Sequence, residues 1–111
     1  MNILFVCTIN KMRSLTAETI YLKDDRFQVK SAGTDKGATT YISRDLLEWA
    51  DYIIVMEKEH RNKIRKIYPD LYLKKRIICL YIPDEYNYMD DQLIELLRYR
   101  FEHIWNTEIK K

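Results

Sequence analysis

The sequence is poor in the residues that build cross-linked or irregular structure. Its 111 residues include two glycines, two prolines, two cysteines and two histidines. Cys7 and Cys79 form no C-x-x-C pair, which excludes the disulfide framework that holds many small secreted domains together. His60 and His103 have no ligand spacing around them, so no metal and no cofactor is expected. No apolar run reaches the length of a membrane-spanning helix, and Met1-Asn2-Ile3 lacks the basic segment that opens a signal peptide. The expectation is a cytoplasmic protein with no membrane partner. Repeats, low-complexity tracts and linkers are absent as well.

What remains has the composition of one ordinary globular domain, 1–111, with 47% hydrophobic and 32% charged residues. A net charge of +2 does not single out a nucleic-acid partner. The local basic run, from Lys58 through Arg61, Lys63, Arg65 and Lys66 to Lys74, Lys75 and Arg76, is interleaved with Glu57, Glu59 and Asp70. It reads as a solvated helix face and loop. Nothing in the pattern specifies an oligomeric state.

Periodicity then sets the order of elements. Residues 2–6 are a continuous apolar run, as in a parallel strand covered on both faces. A helix is expected over 13–23, with Ala17, Ile20 and Tyr21 on one face. A short strand at 27–31 leads to a loop at 32–41, which holds both Gly33 and Gly37. Ser43 is a natural N-cap for a short helix with Leu46, Leu47 and Ala50 inward, and Trp49 is expected in the core. Residues 52–56 form a third strand, and 57–68 a charged helix ended by Pro69-Asp70. Residues 76–82 form a fourth strand. A loop at 83–89 follows, and a last helix runs from Asp90 or Asp91 to about residue 106. Strands alternating with helices indicate an α/β fold built on a parallel sheet.

The stretch most loaded with chemistry lies between the first strand and the first helix: Cys7-Thr8-Ile9-Asn10-Lys11-Met12-Arg13-Ser14. A loop there can curl until its backbone N–H groups converge, and the helix N-terminus adds partial positive charge. Such a nest holds a tetrahedral oxyanion and favours a thiolate over a thiol. The planar fork of Arg13 suits two phosphate oxygens at once. Cys7 would sit beneath the phosphorus and attack it.

This stretch resembles the phosphate loop of the low-molecular-weight protein tyrosine phosphatases, in which C-x5-R-S follows the first strand. Asn10 also matches, as do Leu15-Thr16-Ala17-Glu18, Ser31-Ala32-Gly33-Thr34 and Ala50-Asp51-Tyr52-Ile53-Ile54-Val55-Met56. About half of the chain carries such features. The resemblance implies a small doubly wound four-stranded parallel sheet of order 2-1-3-4 with helices on both faces. Right-handed crossovers suggest the same order. It also implies hydrolysis of phosphotyrosine or small aryl phosphates through a phosphocysteine at Cys7. Arg13 and the N–H groups of Thr8, Ile9, Asn10, Lys11, Met12 and Arg13 would hold the phosphoryl group. Ser14 would hydrogen-bond the thiolate. The partner would be a phosphorylated protein or a small phosphomonoester.

The chain departs from the family's pattern at several places. Ile9 stands where glycine is common, and Met12 where many members carry a second cysteine. The chain is shorter than typical members and resembles a truncated branch. The family's general acid is the aspartate of an Asp-Pro-Tyr run, whereas here the order is Pro83-Asp84-Glu85-Tyr86. Asp84 is the leading candidate acid, ahead of Asp90, Asp91 and Glu85. Asp90 doubles as a helix cap. Tyr86 and Tyr88, and more weakly Tyr41, are candidates to wall a phenyl ring, although Tyr86 and Tyr88 equally suit packing against the last helix. His60 and His103 are expected on helix surfaces away from the loop. Other readings stay open: a phosphocysteine carrier, which has no need of Arg13; an arsenate reductase, which needs a cysteine relay; and a phosphate-binding module without proficient catalysis.

Overall fold

The structure is a computed structural model that describes residues 1–110. Four parallel strands form one sheet in the order β2-β1-β3-β4: β1 (Asn2–Cys7), β2 (Gln28–Gly33), β3 (Tyr52–Val55) and β4 (Arg76–Cys79). The α/β class and the expected order both hold. The helices are α1 (Arg13–Tyr21), α2 (Arg44–Trp49), α3 (Lys58–Ile67), α4 (Pro69–Lys74) and α5 (Asp91–Ile104), followed by a π-helical turn over Trp105–Ile109.

The sheet's two faces explain the unbroken apolar run of β1. Ile3, Phe5 and Cys7 face one core, shared with Ala17 and Tyr21 of α1 and with Leu93, Leu97 and Phe101 of α5. Leu4 and Val6 face the other, shared with Leu47 of α2, Ile64 of α3 and Leu71 of α4. Alternation along a strand sends successive side chains to opposite faces, and here both faces are covered. Phe5, Tyr21 and Phe101 form the centre of the first core, with ring centroids 4.9–6.0 Å apart. Burying a side chain of this size contributes roughly 1.5–3 kcal/mol. Trp49 is half-buried against the second core, with Lys30 Nζ 4.6 Å from its ring centroid.

Several expected boundaries shift. β2 extends to Gly33 rather than ending at residue 31, because Gly33 pairs with Cys7. The charged helix stops at Ile67, and Pro69 then opens a separate helix instead of ending the helical region. Proline suits a first helical position, where its missing N–H has no intrahelical acceptor. Ser43 caps α2, its side chain accepting from the Leu46 N–H. The fourth strand ends at Cys79, not Ile82, because Tyr81 turns to φ 56°. Arg100 on α5 donates to the carbonyls of Leu80 and Tyr81 across this kink. The chain then rejoins β3, with the Ile82 N–H bonded to the Met56 carbonyl at 2.8 Å. That detour delivers Ile82 to the carboxyl end of the sheet, where its carbonyl accepts from Arg13 Nη1.

Candidate active site

The loop after β1 is held from outside by its carbonyls. Those of Cys7, Thr8 and Ile9 accept from the N–H groups of Thr34, Asp35 and Thr39 at 2.9–3.0 Å. Among the described residues, the backbone N–H groups of Thr8, Ile9, Asn10, Lys11 and Met12 find no acceptor. Carbonyls tied on one side and unbonded donors left over are the makings of an anion nest. Asn10 supplies the left-handed step, at φ 58°, that curls the chain.

The side chains beneath the loop interlock. Cys7 Sγ lies 2.8 Å from Ser14 Oγ. Asn10 Nδ2 donates to Ser14 Oγ at 2.8 Å and to Ser31 Oγ at 2.9 Å, and Ser31 Oγ donates to Glu18. Because Ser14 Oγ accepts from Asn10, its own proton is available for Cys7 Sγ or for the Ala32 carbonyl at 3.3 Å. Gly33 has no room for a side chain: a Cβ there would stand 2.5 Å from the Thr8 carbonyl oxygen. Ser31, Ala32, Gly33 and Thr34 therefore each do a separate job against the loop.

Arg13 is buried, with 2% of its surface exposed. Nη1 donates to Glu57 Oε1 at 2.5 Å and to the Ile82 carbonyl at 2.8 Å. Nη2 approaches Thr8 Oγ1 at 3.5 Å. Nε lies 3.9 Å from Asp84 Oδ1. With Nη1 committed, the edge formed by Nε and Nη2 is the one left for a bidentate partner.

Of the candidate acids, Asp84 alone is brought to Arg13 by an ion pair; its side chain is 70% exposed. Asp90 caps α5, accepting from the Gln92 N–H at 2.8 Å, and Asp91 is exposed in the first turn of that helix. Glu85 is exposed. Lys11 and Ile9 are exposed on the loop, and Met12 is half-buried before α1. Tyr86 is packed against the core that α5 covers, so its ring is engaged there. Tyr88 is exposed, its hydroxyl 2.9 Å from Thr19 Oγ1 on α1. Tyr41 pairs with Gly33 and lines a cavity of about 500 Å³ with Thr34, Asp35, Lys36, Lys63, Lys66 and Ile67.

His60 corrects the sequence reading. It is not on a helix surface but buried, 2% exposed, with Nε2 2.9 Å from Thr8 Oγ1. Burial, reinforced by the Arg13 charge, lowers its pKa to about 4. A histidine three residues after Glu57, at the start of a helix leaving the carboxyl end of a strand, was the available signal. His103 is exposed on α5 as expected. Among the described residues no cluster of histidine, cysteine, aspartate or glutamate has a metal-binding arrangement, and no helix is long and apolar enough to cross a membrane.

No family model matches the sequence, and no curated protein matches it. Solved structures do. A low-molecular-weight protein tyrosine phosphatase from Streptococcus pyogenes matches with a TM-score of 0.79 and 18% identity, over 96% of this chain and 92% of that one. The tyrosine phosphatase Wzb from Escherichia coli K30, in complex with phosphate, matches at 0.75 and 22%, over 96% and 97%. The YwlE arginine phosphatase from Geobacillus stearothermophilus matches at 0.70 and 20%, over 96% and 94%. Sheet order, element sequence and these superpositions agree: the chain has the fold of the low-molecular-weight protein tyrosine phosphatases.

Proposed function

We propose that the protein is a cysteine-dependent phosphatase that hydrolyses phosphotyrosine or small aryl phosphate monoesters through a phosphocysteine at Cys7. The observation that carries this reading is the Cys7–Ser14 contact of 2.8 Å at the mouth of a loop whose N–H groups donate to nothing in the protein's described part. In the first step Cys7 attacks phosphorus, the S–P bond forms and the P–O bond to the phenol breaks. The nest and the Nε–Nη2 edge of Arg13 take up the charge of the phosphoryl oxygens. Asp84 gives its proton to the departing oxygen. In the second step water attacks phosphorus and gives a proton back to the Asp84 carboxylate, the S–P bond breaks and the thiolate returns, stabilised by the Ser14 hydroxyl. A form of the YwlE arginine phosphatase with serine in place of its active-site cysteine carries a phosphorylated active-site serine.

The competing readings fit less well. In an arsenate reductase Cys79 would have to reach Cys7. Cys79 pairs with Val55, which pairs with Val6, so it lies two strands from β1, roughly 10 Å. That is beyond disulfide reach. A carrier of phosphocysteine has no use for an arginine this deeply committed to the loop. Three lysines in the cavity beside Thr34 favour a substrate with further negative charge near its phosphoryl group.

The test is turnover of nitrophenyl phosphate, phosphotyrosine and phosphoarginine by the wild type and by Cys7→Ser. The expected result is hydrolysis of the aryl esters by the wild type alone, with inorganic phosphate still bound by Cys7→Ser. Residual hydrolysis by Cys7→Ser near the wild-type rate overturns the covalent route. A preference for phosphoarginine transfers the reading to the arginine phosphatases.

A further inference from the structure

The hydrogen bonds of the Thr8 hydroxyl do not close within the protein. Beneath it, the backbone N–H of Glu57 donates to His60 Nδ1 at 3.0 Å. A ring nitrogen that accepts carries no proton, so the proton of the neutral ring is on Nε2. The low pKa of the buried ring keeps that neutral form in place. Nε2–H therefore donates to Thr8 Oγ1 across 2.9 Å. Arg13 Nη2 is directed at the same oxygen from 3.5 Å, and it too has only donors. A hydroxyl oxygen has two lone pairs, and both now face donors. The hydroxyl proton is what remains, and among the described residues no acceptor takes it.

The position of that proton matters. Thr8 follows Cys7 directly, and its Oγ1 borders the guanidinium edge left for an anion. A serine or threonine hydroxyl ordinarily rotates to serve as donor or acceptor. Here His60 removes the choice. The imidazole is itself fixed by the N-terminus of α3, so the chain from Glu57 N–H to His60 to Thr8 runs in one direction.

We infer that the Thr8 hydroxyl donates to a non-bridging oxygen of the phosphoryl group held over Cys7, which makes Thr8 a further catalytic residue and His60 the positioning residue that aims its proton. The inference rests on reading this loop as a phosphate site, and it adds a side-chain donor to a nest otherwise made of backbone. No bond to phosphorus changes in this role. The hydrogen bond strengthens as charge builds on the equatorial oxygens of the transition state.

The experiment compares wild type, Thr8→Val, Thr8→Ser, His60→Phe, His60→Gln and the pair Thr8→Val/His60→Phe. Each is assayed on nitrophenyl phosphate, and each is titrated with inorganic phosphate by calorimetry. Thr8→Val, equal in shape, should lower kcat about 10- to 100-fold and weaken phosphate binding, while Thr8→Ser restores most of both. His60→Phe should lower kcat when Thr8 is present and add little to Thr8→Val, since residues acting through one contact are not additive. His60→Gln, whose amide can accept from Glu57 and donate to Thr8, should recover much of the loss.

The inference is overturned if Thr8→Val keeps kcat and phosphate affinity within about twofold. Equal damage from His60→Phe with and without Thr8 overturns the positioning role. If His60→Phe does not fold, Thr8→Val and His60→Gln still decide. A wild type that neither binds phosphate nor turns over an aryl ester removes the phosphatase reading and this inference with it; an active wild type with an unaffected Thr8→Val removes this inference alone.

Discussion

Arg13 Nη1 and Glu57 Oε1 lie 2.5 Å apart, and this pairing decides which edge of the guanidinium faces the loop. Glu57 follows β3 and Arg13 opens α1, so the pair ties the ends of two strands across the site. Arg13 is 2% exposed, and without Glu57 the Ile82 carbonyl and Thr8 are what is left at hydrogen-bonding distance among the described residues. Glu57→Ala should cost about 1–3 kcal/mol of stability, the lower end reflecting a partner that is 35% exposed. It should lower kcat as well, because the guanidinium is no longer held edge-on. Arg13→Lys should keep folding but lose most of the rate, since an ammonium has no fork. Steady-state kinetics with phosphate as inhibitor separate the two. A lysine at position 13 that works nearly as well would mean that the bidentate role is wrong.

Asn10 joins backbone shape to side-chain wiring. It holds φ 58° and its amide bonds both Ser14 and Ser31. Asn10→Gly keeps the left-handed turn but loses the wiring; Asn10→Ala loses both. The expected order of stability is wild type, then Gly, then Ala, with Ala lower than wild type by about 2–4 kcal/mol. Urea unfolding measures it. If Ala and Gly are equal, the backbone conformation is not what constrains this position.

The fold and the place of the candidate loop were legible in the sequence because each rests on a local pattern. The apolar run of residues 2–6 requires two covered faces, and Cys7 to Ser14 lies at the one place where a strand hands over to a helix. The partners of that loop were harder to read. Glu57 and His60 act on Arg13 and Thr8 from 44 and 52 residues away, respectively, and only strand order brings them together. The Tyr81 kink was invisible for the same reason. A strand pattern continues through Tyr81 in the sequence, whereas Arg100 on α5 holds the turned backbone in the structure. Pro69 reads as a stop when only α3 is considered and as a start once α4 is seen.

His60 gives the fold a definite acid response. Its pKa in the folded state, about 4, is below its ordinary 6.5 because burial and the Arg13 charge oppose a second proton; Glu57 and Asp84 pull the other way and lose. As pH falls through 6.5 the unfolded chain takes up the proton first. Stability is therefore intact above pH 6.5, falls between pH 6.5 and pH 4, and levels off below. The loss is on the order of 3 kcal/mol. Thermal unfolding from pH 7 to pH 4 should show it, and His60→Gln, which cannot titrate, should flatten the difference within that window. Parallel profiles for the two proteins would mean that His60 is not held neutral.

Asp84 is the acid whose position fits the proposed mechanism. Its carboxylate is 3.9 Å from Arg13 Nε, at the edge where a phosphoryl group would be gripped, and it is open enough to reach a leaving oxygen. Asp90 is committed to the N-terminus of α5. A tyrosine phenolate, with a conjugate acid pKa near ~10, leaves badly unless it is protonated as the bond breaks. A nitrophenolate needs less help. A placed acid contributes roughly 10²–10⁴ in rate. Asp84→Ala should therefore slow phosphotyrosine hydrolysis by about that factor and nitrophenyl phosphate hydrolysis far less. Asp90→Ala should show no leaving-group dependence and should instead cost about 1 kcal/mol through the lost cap. If the dependence follows Asp90 rather than Asp84, the assignment is reversed. If it follows neither, Glu85 or water delivers the proton, and the loop after residue 82 serves to shape the site rather than to protonate within it.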